Sequence, residues 1–261
     1  MPAPDLRGLG VLVTRPAHQA EGLCNLIVEA GGRAIRFPVL AITPPNDEAA
    51  ARASVARLAD YDLLVFVSPN AVQYGLDLIE AQSGLPAGLT LAVVGAGSAR
   101  ALYARLGREP DLQPPDRYET EGLLAMPELQ TMAGKRVLIL RGNGGRALLG
   151  QSLRERGATV DYVEVYRREC PRVDADLLSG YLQADEVDML TVTSSEGLHN
   201  LLTLAGAENT ARLQQLPLAV VSERTAALAR ELGFTAPILT AAPASDAGLI
   251  EAIGCWAGEY R

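Results

Sequence analysis

Aromatic side chains make up only 5% of this 261-residue chain, with a single tryptophan and three phenylalanines. That is too few for the stacking platforms that hold single-stranded nucleic acid. A formal charge of −8 also leaves no basic face for a phosphate backbone, so no nucleic-acid partner is expected. Histidine is scarcer still: His18 and His199 stand alone, too few and too isolated for a histidine metal site. Cys24, Cys170 and Cys255 are odd in number and far apart, which argues against a disulfide framework or a zinc site; they read as buried or neutral thiols. No apolar run approaches the ~18 residues of a membrane span. The opening "MPAPDLRGLG" lacks the basic-then-apolar layout of a signal peptide, so a cytoplasmic protein with no membrane partner is expected.

What is present is an ordinary globular composition, 48% apolar and 21% charged, long enough for one large or two small cores. The chain also repeats itself. "GVLVTRP" (10–16) matches "RVLILRG" (136–142), which sets Arg15 and Arg141 126 positions apart. "DLLVFVSPNAV" (62–72) matches "DMLTVTSSEGL" (188–198), again with 126 positions between Ser68 and Ser194. "LAVVGAGSARAL" (91–102) matches "LAVVSERTAALA" (218–229) at an offset of 127, and "TEGLLAM" matches "DAGLIEA" at 126. Four pairs in one order imply two similar units.

Each unit alternates apolar strands with helical spacing. Leu23, Leu26, Ile27 and Ala30 mark a helix that stops at Gly31-Gly32; Leu148, Leu149 and Leu153 mark another ending at Gly157. Thr120 and Asp246 stand where an N-cap oxygen would serve. This predicts an α/β fold of two similar doubly wound parallel-sheet domains. The segments 32–45 and 157–171 are extended, end in proline and occupy equivalent points of the repeats, as a two-stranded connection between the domains would.

The motifs divide on comparison. Gly95 and Gly97 follow an apolar run like a dinucleotide fingerprint, but Arg100 fills the third glycine's place and Glu109 and Asp111 come too early for a ribose partner. The sister copy has no glycine there, so the shared feature is a turn and a helix N-terminus. "LRGNGG" (140–145) lacks the Gly-Lys-[Ser/Thr] ending of a phosphate loop; it is either a tight turn or a nest of N–H groups for an anion. Arg15 with Arg141, Ser68 with Ser194, and Ser98 with Thr225 fall just after strands in matched positions. They serve as caps, or as donors for an extended polyanion. Tyr166, beside Arg167 and Arg168, is either an ordinary strand tyrosine or a proton donor at the mouth of a cleft.

Taken in order, "VLVTRP", "FVSPNAV", "VVGAGSARAL", "LRGNGG", "GATVDYVEVYRR", "TSSEGL" and "VVSERTAAL" resemble the uroporphyrinogen-III synthase family over essentially the whole chain. The resemblance implies one domain from 1–36 plus 170–261, another from 41–165, connecting strands at 37–40 and 166–169, and an active site in the interdomain cleft. It implies a cofactor-independent lyase of heme and siroheme biosynthesis, free of metal and monomeric. Such an enzyme closes hydroxymethylbilane, supplied by the preceding deaminase, to uroporphyrinogen III. Water leaves to give an azafulvene, and a spirocyclic intermediate then inverts ring D. Tyr166 would assist the departing hydroxyl. Arg15, Ser68, Asn70, Ser98, Arg141, Gly142, Asn143, Ser194, Ser195, Ser222 and Thr225 would hold carboxylates, largely through main chain, although either arginine could instead pair with an acidic neighbour. A bilobed anion-binding protein and a nucleotide-dependent oxidoreductase are the rival readings.

Overall fold

The computed structural model describes residues 4–82, 84–115, 119–173 and 175–260. The chain opens with β1 (Gly10–Val13), α1 (Ala17–Glu29) and β2 (Arg33–Arg36). Then come β3 (Ala41–Thr43), α2 (Glu48–Val55), β4 (Leu63–Phe66), α3 (Pro69–Glu80), β5 (Thr90–Val93), α4 (Ala96–Leu106) and α5 (Thr120–Leu124). Next are β6 (Arg136–Gly142), α6 (Leu148–Glu155) and β7 (Thr159–Glu169). The remainder is α7 (Ala175–Gln183), β8 (Met189–Val192), α8 (Ser195–Leu213), β9 (Leu218–Val220), α9 (Glu223–Glu231), β10 (Ile238–Thr240) and α10 (Asp246–Tyr260).

These elements form two compact units, Met1–Ala41 with Glu169–Arg261, and Ile42–Arg168. Unit 1 holds a five-stranded sheet in the order β10-β9-β8-β1-β2, parallel throughout. Strand β1, interior to the sheet, shows why: Val11 and Val13 enter one apolar cluster and Leu12 the opposite one, so both faces are covered. Unit 2 has the order β3-β7-β6-β4-β5, and β4 divides in the same way, Leu64 and Phe66 to one side and Leu63 and Val65 to the other. Two helical stops read from the sequence are in place, and α1 buries Leu23 and Ile27 while α6 buries Leu149 and Leu153. Leu148, expected inside, is 37% exposed.

The repeat and the units do not coincide. Shifted by 126 positions, β1 and β2 become β6 and β7, and β4 and β5 become β8 and β9. The sheet orders then superimpose, with the parallel bridge of Leu112 to Ala92 taking the place of β10 beside β9. Each unit therefore joins the first part of one repeat to the second part of the other. A matched pair of aspartates closes the junction in each. Asp62 Oδ2 accepts the Arg136 N–H at 2.9 Å, and Asp188 Oδ2 accepts the Gly10 N–H at 2.8 Å. The Arg136 backbone N–H and then Lys135, 2.9 Å away, hold the Asp62 carboxyl below its ordinary range. Its contribution is thus present above pH ~4 and is lost as pH falls through the lowered value. Asp188→Ala should leave the Gly10 N–H without this acceptor and cost about 1–2 kcal/mol, read as a lower Tm by calorimetry; an unchanged Tm would contradict this role.

Two local expectations need correction. Residues 37–40 are not a strand, because Pro38 has no N–H for a ladder. Phe37 and Val39 instead donate to the carbonyls of Val13 and Thr14 at the end of β1. Residues 166–169 are simply the last part of β7. Thr120 and Asp246 are first helical residues and not caps: Glu119 precedes α5, and Ser245 Oγ accepts the Gly248 N–H at 3.1 Å. The expectations for residues 1–3 and 261 lie outside the described residues.

Candidate active site

In both units the polar residues singled out from the sequence lie at or just beyond the carboxyl ends of parallel strands, where open α/β sheets bind ligands. In unit 2, β4 ends and Ser68 caps α3, its Oγ accepting the Ala71 N–H at 3.0 Å. Asn70 follows in the first turn of α3, half-buried. Gly95 begins α4 without a side-chain cap, and Gly97 lies close to Pro69, where an added Cβ would meet Pro69 Cγ at 3.3 Å. Ser98, expected to point outward, is buried inside α4.

The tightest grouping is at the end of β6. Register slips between Arg141 and Gly142, so Arg141 pairs with Glu164 but Gly142 pairs with Tyr166. Tyr166 is only 5% exposed, more enclosed than a residue at a cleft mouth. Its hydroxyl lies 3.0 Å from Ser68 Oγ. Its ring covers Gly142 and lies 6.0 Å from the ring of Tyr74. Burial, and less strongly Asp77, pushes the Tyr74 hydroxyl above its ordinary value, which keeps this neighbour uncharged. Asn143 spends its side chain on backbone: Oδ1 accepts the Arg168 N–H at 2.7 Å and Nδ2 donates to the Arg168 carbonyl at 3.1 Å. Its own N–H donates to the Tyr166 carbonyl.

The arginines are engaged. Arg141 donates to the carbonyls of Gly142 and Gly144, and its guanidinium stacks 5.2 Å over the Tyr162 ring. A cavity of about 300 Å³ opens here, lined by Arg141, Gly144, Gly145, Arg146, Thr120 and Tyr162. Arg146 and Tyr162 escaped the sequence reading. Arg146 stands directly after "LRGNGG", so its signal was adjacent. A larger recess of about 450 Å³ opens at the opposite end of the unit 2 sheet, around Asp62, Thr90 and Lys135, away from every candidate residue.

In unit 1, Arg15 pairs with Asp246 at 2.8 Å, the structural alternative the sequence left open. Ser194 caps α8 through the Gly197 N–H at 3.0 Å, with Ser195 next in the chain. Ser222 caps α9 through the Thr225 N–H at 3.3 Å. Thr225 is buried, its Oγ1 3.0 Å from Ser222 Oγ. Among the described residues no group of three or more His, Cys, Asp or Glu is placed to hold a metal ion. His18 and His199 are exposed. Cys24 alone of the cysteines is buried, and burial pushes its thiol up. No described helix is long and apolar enough to cross a membrane.

Comparison with known proteins adds four findings. The sequence pattern of the family described as "Uroporphyrinogen-III synthase HemD" matches residues 22–251. The uroporphyrinogen-III synthase of Escherichia coli (strain K12) is 39% identical over 228 residues, covering 87% of this chain and 92% of that one. The synthase of Synechococcus elongatus is 31% identical over 267 residues, covering 98% of each. Among solved structures, a mutant uroporphyrinogen III synthase from the extremely thermophilic bacterium Thermus thermophilus superimposes with a TM-score of 0.61 at 21% identity, covering 97% of this chain and 100% of that one.

Proposed function

The chain belongs to the uroporphyrinogen-III synthase family, whose members are lyases of tetrapyrrole biosynthesis, and on that premise we propose that it closes hydroxymethylbilane to uroporphyrinogen III with loss of water and inversion of ring D. The observation that carries the site assignment is Tyr166, whose hydroxyl is held 3.0 Å from a helix-capping serine at a strand end.

The pyrrole nitrogen's electron pair drives water from the hydroxymethyl carbon. A neutral phenol needs only to protonate the leaving oxygen. The remaining demand is to hold one conformer of a flexible chain so that the substituted carbon of ring D attacks. Carboxylates suit the amides at the N-termini of α3, α8 and α9, where unpaired N–H groups and the helix dipole favour an anion. Ser68, Asn70, Ser194, Ser195 and Ser222 stand at those ends. Ser98 and Thr225, both buried, contribute through main chain, as does the turn from Arg141 through Gly142 and Asn143. Arg15 and Arg141, already engaged, add field more than direct contacts. The enzyme works as a cytoplasmic monomer on substrate supplied by the preceding deaminase.

A coupled assay tests this. Hydroxymethylbilane is generated enzymatically, the protein is added, and the oxidised porphyrin isomers are separated. Type III should dominate; type I alone, the uncatalysed product, would overturn the reading.

A further inference from the structure

Along β7, Val160 and Tyr162 face the α6 side of the unit 2 sheet, whereas Val163 and Val165 face the α3 side. That is the alternation of a regular strand, and it would send Tyr166 back to the α6 side with Tyr162. The bulge intervenes. The ladder steps from Glu164 to Tyr166 and skips Val165, and Tyr166 joins Val163 and Val165 on the α3 side. There it meets Ser68. The ring can lie so close to β6 only because position 142 has no side chain, since a Cβ would sit 2.6 Å from Tyr166 Cζ. The two bonds from Asn143 to Arg168 fix β7 just beyond it.

The duplicated fold supplies a control. Ser194, the counterpart of Ser68, caps its helix through the same kind of bond at the same 3.0 Å. Yet 126 positions before Gly142 and Tyr166 stand Pro16 and Leu40. The cap belongs to both units; the contact with a tyrosine belongs to unit 2.

We infer that Ser68 is a positioning residue for the Tyr166 proton, with Gly142 as the seat that allows the contact; this rests on the synthase reading above. A serine hydroxyl has one proton to give. Ser68 Oγ already accepts the Ala71 N–H; either hydroxyl of the 3.0 Å Ser68–Tyr166 pair can be the donor, and in the arrangement inferred here it is Ser68. With its oxygen acting as acceptor, the phenol's own O–H is directed to the leaving hydroxyl. As the C–O bond breaks, that proton completes the departing water and the pyrrole nitrogen's pair forms the C=N double bond of an azafulvenium cation, which keeps its N–H and balances the phenolate's charge. The phenolate left behind keeps the serine's hydrogen bond, now charge-assisted. It recovers a proton when the ring carbon that finally bonds loses its hydrogen.

The test is a steady-state comparison of wild type, Ser68→Ala, Ser68→Thr, Tyr166→Phe and the double variant Ser68→Ala/Tyr166→Phe, with isomers separated. Ser68→Ala should lose about tenfold in kcat for type III formation with KM within about twofold, and Thr, which keeps the hydroxyl, should restore most of it. Losing the cap should lower Tm by roughly 3 °C, so the assay is run at 25 °C where every variant is folded. The double variant should be no slower than Tyr166→Phe alone. A loss confined to KM, failure of Thr to rescue, or losses that multiply in the double variant would overturn the inference while wild type still made type III. Wild type that made only type I would overturn the parent reading, and this one with it.

Discussion

Tyr166→Phe should slow type III formation by about 50-fold in kcat, just under the ~100–10,000-fold range of general acids, because the pyrrole itself drives much of the departure of water. KM should stay within about twofold, since the variant removes one hydroxyl whose neighbour in the fold is Ser68 and leaves the ring over Gly142 and beside Tyr74. Hydroxymethylbilane that escapes the slowed enzyme closes spontaneously, so the type I fraction should rise at low enzyme concentration. Isomer separation from a coupled assay reads both effects. A kcat within twofold of wild type would remove Tyr166 from the chemistry. The fold is not at stake: one lost hydrogen bond costs about 1 kcal/mol.

Gly10→Ala should have the largest effect on the fold. A Cβ there would lie 1.7 Å from the Glu186 carbonyl oxygen, a backbone atom with no rotamer to adopt. The same residue pairs with Arg33 and exchanges hydrogen bonds with Asp188, so β1 cannot move without opening two ladders. Overpacking against backbone belongs at the top of the usual range, about 3 kcal/mol or more, which is roughly 10 °C in Tm. Hydrogen exchange should locate the damage, with faster amides in β1 and β8 and unchanged ones in β4 and β6. Uniform exchange or a Tm within about 2 °C would show that the crowding is relieved elsewhere. The counterpart in unit 2 is Arg136, so it is the Glu186 carbonyl, not the topology, that demands glycine.

The repeat made the architecture readable: Val11 to Val13 and Leu63 to Phe66 are continuous apolar runs, as strands covered on both faces must be. The matched aspartates at 62 and 188 were equally visible in "DLLVF" and "DMLTV", yet their ladder role needs the strand neighbours to be known. Other features depend on distant partners. Arg15 meets Asp246 231 positions away, and no local pattern announces it. Tyr166 stood out by type and position, but strand alternation alone puts it on the wrong face of β7; only the slip at Gly142 corrects that. Ser98, like its match Thr225, falls just after a strand where a cap or donor would stand, but helix α4 starts early enough to bury it.

The exchange of repeat halves between the units has a consequence for how the chain is made. Unit 2 is contiguous and can close as soon as β7 has left the ribosome. The β1–β2 pair, synthesised earlier, must wait for β8, because Gly10 and Asp188 are 178 residues apart. At about 5–20 residues per second that is a delay of roughly 10–40 s. For that interval Val11, Val13, Leu23 and Ile27 have no β8 or α10 to cover them. β1 thus leaves the ribosome well before the strand that buries it, and its apolar side chains stay uncovered for that interval.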